Sequence, residues 1–263
     1  MRSTKLSTTV RTALTVLAIL ASAALVLFLL STMGGAGMSA DEPEGEWTEL
    51  FNGKDFTGWR ALSRDGKHAW RVAKAVAPKP EDEKKFAIEP GEGIFVNGDT
   101  GRTANFATEM KHSDCELHIE FVVPKGSNSG VYLMGHYEIQ VLDSSGKDEV
   151  KYSDCGGIYC QWIDGKAVGG TPPRVNASKA PGEWQTFDAI FRGPRFDKDG
   201  NKIENAVFVK VVHNGVVVHE NVEVGGPTRA SMPGPERAEG PLMLQGDHGP
   251  VAYRNVRMRP LKP

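Results

Sequence analysis

The chain has 263 residues, 40% of them hydrophobic and 24% charged, with 30 Gly and 16 Pro. That composition is ordinary for a globular protein and rich in turn formers. The formal net charge is -2 and the positive charges are scattered rather than striped, so neither a nucleic-acid partner nor an anionic membrane surface is supported.

The N-terminus stands apart. Arg2, Lys5 and Arg11 precede an apolar run from Ala13 to Leu30, interrupted by Thr15 and Ser22. Small residues follow in STMGGAGMSA, and then the acidic DEPEGE. A basic start, an apolar middle and a small-residue exit predict a signal peptide or signal anchor over residues 1–40, with cleavage after Ala36 or Ala40. The run is long enough to just span a bilayer, so anchoring through residues 13–30 stands beside cleavage. Either way the expectation is a periplasmic or extracellular protein. Residues 41–263 are left as one all-β domain.

After residue 46 no stretch holds a helical period. Short alternating runs recur instead, bounded by Gly, Pro, Asn and Asp. In chain order the predicted strands are WTELF (47–51), HAWRVA (68–73), KFAIE (85–89), GIFV (93–96), CELHIEFVV (115–123), SGVYLM (129–134), YEIQVL (137–142), GGIYCQ (156–161), WQTFDAIFR (184–192), AVFVKVVHN (206–214), VVVHE (216–220), PLMLQG (241–246) and VAYRNVRMRPL (251–261). Many short strands with turn signals between them predict a jelly-roll β-sandwich of two antiparallel sheets. Asn214-Gly215, between two Val-rich runs, is the strongest hairpin signal. His213 and His219 flank it, which predicts surface positions. Residues 76–85, 169–183 and 225–240 read as long loops able to rim a cleft. Cys115, Cys155 and Cys160 form no disulfide framework; a Cys155–Cys160 bridge and three free thiols are both open.

Candidate chemistry centres on GSNSGVYLMGHYEIQVLD (126–143), two runs joined at Gly135-His136. On the second run Glu138 and Gln140 share one face while Ile139 and Val141 share the other. The polar face lies outside the core, as plain surface or as the floor of a cleft. The spacing Glu-x-Gln-x-x-Asp, ending at Asp143, resembles the two-carboxylate strand of laminarinase-like retaining glycosidases, but Gln140 replaces the central acid and Asp143 has the wrong parity without a bulge. A second constellation is LQGDHGPVAYRN (244–255), with Gln245, Asp247, His248 and Arg254. Histidine titrates near neutrality and can move protons. Asn128 and Ser129 can offer an amide and a hydroxyl to a sugar, or simply satisfy a turn.

Six segments carry a family resemblance: LFNGKDFTGWR (50–60), GSNSGVYLMGHYEIQVLDS (126–144), GGIY (156–159), PGEWQTFDAIFRG (181–193), HNGVVVHENVEV (213–224) and GPLMLQGDHGPVAYRNVRMRPL (240–261). Together they resemble the 3-keto-disaccharide hydrolase domain family. The resemblance implies a concanavalin A-like jelly roll exported by bacteria, and cleavage of glycosidic bonds in sugars oxidised at carbon 3. Carried over, it implies cleft positions at Glu138, Gln140, Asp143, Gln245, His248 and Arg254. Met134 stands where relatives commonly have Arg. The expected catalytic pair is Glu138 and His248, one as base and the other as acid, with Gln140, Asp143, Gln245 and Arg254, and Asn128 from the turn, holding the sugar. No cofactor is demanded, although a divalent cation would suit an enediolate. Two alternatives remain: a laminarinase-like glycosidase and a non-catalytic lectin-like surface protein.

Overall fold

The computed structural model of the chain describes residues 45–262. The segment read as a signal peptide or anchor, residues 1–40, lies outside the described residues. In chain order the strands are β1 (Thr48–Glu49), β2 (Trp59–Ala61), β3 (Arg71–Lys79), β4 (Asp82–Val96), β5 (Phe106–His112), β6 (Cys115–Val122), β7 (Asn128–Leu133), β8 (Tyr137–Leu142), β9 (Gln161–Ile163), β10 (Lys166–Val168), β11 (Gln185–Arg192), β12 (Arg195–Phe196), β13 (Lys202–Glu204), β14 (Ala206–His213), β15 (Val216–Val224), β16 (Gly240–Leu244) and β17 (Ala252–Pro260). No helix occurs among the described residues.

The strands form a jelly-roll β-sandwich. One sheet has eight strands, in the order β15-β14-β11-β6-β17-β4-β3 with β1 beside β17, and the other has five, β2-β5-β16-β7-β8. Two small hairpins, β9-β10 and β12-β13, stand outside them. Strand parity builds the core. Leu117, Ile119 and Phe121 of β6 and Phe187, Ala189 and Phe191 of β11 face inward and are buried. From the five-stranded sheet they meet Val131 and Leu133 of β7, Tyr137, Ile139 and Val141 of β8, and Leu242 and Leu244 of β16. At one end Trp59, Trp70, Phe95, Phe106 and Tyr253 close the sandwich, Trp70 stacked on Phe106 at 5.2 Å between ring centres.

Several expectations are corrected. Residues 76–85 are not a loop: β3 and β4 pair across a tight turn at Pro80-Glu81. Their charges belong to an exposed edge hairpin, tied by Lys74–Glu89 and Lys85–Asp82 ion pairs, and Pro78 is tolerated because β3 is an edge strand. KFAIE and GIFV are parts of the one strand β4. The strands β2 and β5 and the two small hairpins were not predicted, because their short runs lack clean alternation. The Asn214-Gly215 hairpin forms with both residues at positive φ, 51° and 82°, but its flanking histidines are not on the surface. His213 and His219 are buried. The segment around Gly156 covers them: its carbonyl lies 2.7 Å from His219 Nε2, while His213 Nε2 meets Gln185 at 2.9 Å. Burial holds His213 down at about 4, so it is a neutral core group. The three cysteines are free and buried, and Cys155 and Cys160 are not bridged.

Candidate active site

The outer face of the five-stranded sheet carries a pocket of about 220 Å³ lined by Asn128, Tyr132, Glu138, Gln140, Tyr159, Arg229, Ala230, Gln245 and His248. Five of the seven residues predicted for the site therefore meet in one place. Asn128, Gly130 and Tyr132 of β7 stand beside Leu142, Gln140 and Glu138 of β8 across the ladder. Residues 128, 130, 132, 138 and 140 all point away from the core by parity.

Glu138 is only 2% exposed. Its carboxyl lies across β7, where a Cβ at Gly130 would come within 2.2 Å of Oε1 and 2.7 Å of the Tyr132 ring. Gly130 is needed for room, not for an unusual backbone angle. Burial raises the Glu138 carboxyl from the usual carboxylate range to about 8, and a hydrogen bond from Tyr132 offsets part of that rise. Burial, and then the Glu138 charge, push the Tyr132 and Tyr159 hydroxyls up. We expect Gly130→Ala to displace the carboxyl and lower kcat/KM by about 100-fold, and to lower Tm by a few degrees because the buried Tyr132 ring must also give way. Steady-state kinetics and a thermal melt on the same sample check this.

Segments distant in sequence fix the other groups. The Ser129 hydroxyl donates to the Gln245 carbonyl at 2.8 Å and accepts from the Tyr253 hydroxyl at 2.8 Å. Gln245 Nε2 lies 3.4 Å from the Tyr132 hydroxyl. Asn97, fully buried, donates to the carbonyls of Gly246 (3.1 Å) and Gly249 (2.8 Å) and accepts from Val251 N at 2.8 Å, which locks the turn bearing His248. Asp247 Oδ1 sits 2.6 Å from His248 Nδ1. With that carboxylate accepting from Nδ1–H, His248 Nε2 is left with the free lone pair.

The edge of β8 is covered by residues 156–160 and by the start of the 225–240 loop. Gln140 N donates to Gly157 O at 2.9 Å, Tyr159 N to Glu138 O at 3.2 Å, and Glu138 N to Thr228 Oγ1 at 3.2 Å. That loop delivers Arg229, whose guanidinium lies 4.0 Å over the Trp162 ring on β9. Among the described residues no acid pairs with it, so its donors remain available at the pocket rim.

Two expected site residues lie elsewhere. Asp143 follows β8 and turns away, accepting from Gly126 N at 2.8 Å and bordering a separate hollow with Lys125 and Glu83. No bulge restores its parity. Arg254 is on β17 of the other sheet, where Nε donates to Glu120 at 2.7 Å and the guanidinium packs over Trp184. The inward residue beside it is Tyr253, so Arg254 points to the far side of the sandwich. The pocket thus has a single carboxylate among its lining residues and not a facing pair. Sequence reading missed Tyr132 and Tyr159, which look like core aromatics, and Arg229, which sits in a loop marked only as a rim. Glu138 and His248 are the pocket's metal-ligating types, and no group of three or more His, Cys, Asp and Glu able to hold a metal occurs among the described residues.

The sandwich and its polar pocket define a glycosyl hydrolase-like or carbohydrate-binding jelly-roll protein. The 3-keto-alpha-glucoside-1,2-lyase-like domain matches residues 46–259, and the chain belongs to that family. A candidate glycosyl hydrolase of Parabacteroides distasonis, solved at 2.13 Å, is 28% identical over 82% of this chain and 84% of its own, with a TM-score of 0.60. Two more structures so described from that organism share the fold at 18% and 19% identity, with TM-scores of 0.53 and 0.52, covering 84% and 82% of this chain and 95% and 100% of theirs. No curated protein matches the chain.

Proposed function

We propose that the protein is an exported enzyme that cleaves 3-keto-glycosides by removing the proton on carbon 2. The observation that carries this reading is the lone buried carboxyl, Glu138, raised to about 8 and facing a pocket that also holds His248 and Arg229. A ketone at carbon 3 acidifies the hydrogen on carbon 2. His248 Nε2, oriented by Asp247, takes that proton, and the C–H electrons form an enediolate with its charge on the carbon-3 oxygen. The Arg229 donors and the Gln245 amide stabilise that oxygen. The electrons then restore the carbon-3 carbonyl, form the carbon 1–carbon 2 double bond and break the bond from carbon 1 to the glycosidic oxygen. Glu138, protonated at neutral pH, gives its proton to the departing oxygen. The products are the free alcohol and an unsaturated 3-keto sugar; water added across the double bond completes net hydrolysis. A double displacement would need a second carboxylate in the pocket, and Asp143 does not supply one.

The basic, apolar and small-residue succession at the N-terminus supports export of a domain over residues 41–263, with membrane anchoring through residues 13–30 as the alternative to cleavage. The pH profile tests whether Glu138 must carry a proton, and the leaving group separates the roles. With Glu138 as acid, kcat/KM for a 3-keto-α-glucoside falls tenfold per pH unit above about 8. A rate that instead climbs through pH 8 and levels off would mean that the reaction needs no proton on this pair. The acid role itself is read from a 4-nitrophenyl 3-keto-α-glucoside, whose leaving group departs without a proton. Glu138→Gln loses far less rate on it than on a 3-keto-disaccharide if Glu138 is the acid, and loses equally on both if it is the base. Cleavage of unoxidised glucans at a comparable rate would overturn the reading altogether.

A further inference from the structure

A second cavity, of about 200 Å³, opens at the far end of the 225–240 loop. Its walls include Arg60 of β2, Lys111 of β5, and Met232, Arg237 and Glu239 of the loop, with His136 beside them. Among the described residues no ion pair or hydrogen bond engages the Arg60, Lys111 or Arg237 charged groups. Several cations elsewhere do pair with acids, among them Arg254, Arg259, Arg174, Lys202, Lys125 and Lys74. Three exposed cations facing one hollow that has Glu239 as its only carboxylate repel one another unless an anion enters.

The position of the cavity says what kind of anion. Arg60 alternates with the core residue Trp59, and Lys111 lies opposite Pro241 on β16. Both are therefore on the sheet that carries Glu138, and Arg60 shares its outward face. From β8 to β5 is three strand spacings, roughly 14 Å at about 4.8 Å each. The same loop lines both ends, Arg229 and Ala230 at the first pocket and Met232 to Glu239 at the second. Between them Met232 of the loop packs onto Tyr132 and Met243, both fully buried. Hydrogen-bonding groups with the one cation Arg229 at the first end, and three cations against one carboxylate at the second, suit a saccharide chain with its acidic unit at the second end.

We propose that this cavity is an anionic-sugar subsite that binds a carboxylate or sulfate on the glycan attached to the cleaved residue. The proposal rests on the carbohydrate reading of the first pocket, but it predicts binding and not turnover. Its test is titration calorimetry on the full chain carrying Glu138→Gln, so that nothing is cleaved. The probes are an oligogalacturonate (carboxylate only), a sulfated neutral oligosaccharide (sulfate only) and an uncharged oligosaccharide of the same length. Binding of at least one acidic probe, about tenfold or more tighter than the neutral one and weakening as salt is raised, is expected. Whichever probe binds identifies the acidic group. Adding Arg60→Ala, Lys111→Ala and Arg237→Ala together should erase the preference, and these exposed side chains leave the fold intact. Equal affinity for acidic and neutral probes, or a preference that survives the triple replacement, overturns the proposal. Because cleavage is not read, failure of the elimination mechanism leaves this result unaffected.

Discussion

Replacing Glu138 by Gln is expected to remove turnover and to stabilise the fold at the same time. The amide cannot protonate a leaving oxygen, so kcat should fall by about 10³-fold, within the range for loss of a positioned acid. The stability effect follows from the sign of the shift. Below the ordinary carboxylate value of 4.5 both folded and unfolded chains carry the proton, and the buried carboxyl costs nothing extra. Between 4.5 and about 8 the unfolded chain loses the proton while the folded one keeps it, so stability declines as pH rises. Above about 8 the folded chain must hold a buried charge and the full cost is present. That cost is on the order of 5 kcal/mol. Glu138→Gln should therefore melt with the wild type at pH 4 and about 10 °C above it at pH 8. Melting curves across that range check both the size and the direction. On the proposed mechanism Glu138 is then a catalytic group held against the stability of its fold, a common property of active sites.

The second large effect belongs to Arg229. It is placed by an aromatic face and not by an acid, which leaves its donors for the charge that the proposed mechanism develops on the carbon-3 oxygen. Arg229→Ala should lower kcat by about 10²- to 10³-fold, as loss of an oxyanion donor does, with a smaller change in KM. Trp162 touches Arg229 and is not one of the residues lining the pocket; it is a positioning residue. Trp162→Ala should lower kcat about tenfold and Trp162→Phe should recover most of it, since either ring offers a face to the guanidinium. If Arg229→Ala raised KM alone, the arginine would be a ground-state sugar ligand instead.

The parts of the site legible in the sequence follow from local rules. Strand parity alone put Glu138 and Gln140 on one face and Ile139 and Val141 on the other, and the fold keeps that division. The same rule warned that Asp143 belonged elsewhere, and it does. The Gln245–His248 turn was visible as a polar cluster, but what locks it, Asn97, lies some 150 residues away in sequence and carries no local signal. Arg254 was misplaced because alternation tells which face of a strand a residue takes but not which sheet the strand joins. The arginine that the pocket does hold, Arg229, comes from a loop, where no periodicity constrains a prediction. His213 and His219 show the converse: a hairpin turn marks the surface only until another segment folds over it.

The central claim is that the bond at carbon 1 breaks only after the hydrogen on carbon 2 is lost. It is tested most directly by giving the enzyme a 3-keto-α-glucoside deuterated at carbon 2 and following the label. The account predicts a primary isotope effect on kcat/KM, provided proton removal limits the rate, and a sugar product from which the deuterium has been lost to solvent. Cleavage that retains the deuterium at carbon 2 in the product would contradict it and return the pocket to direct displacement at carbon 1.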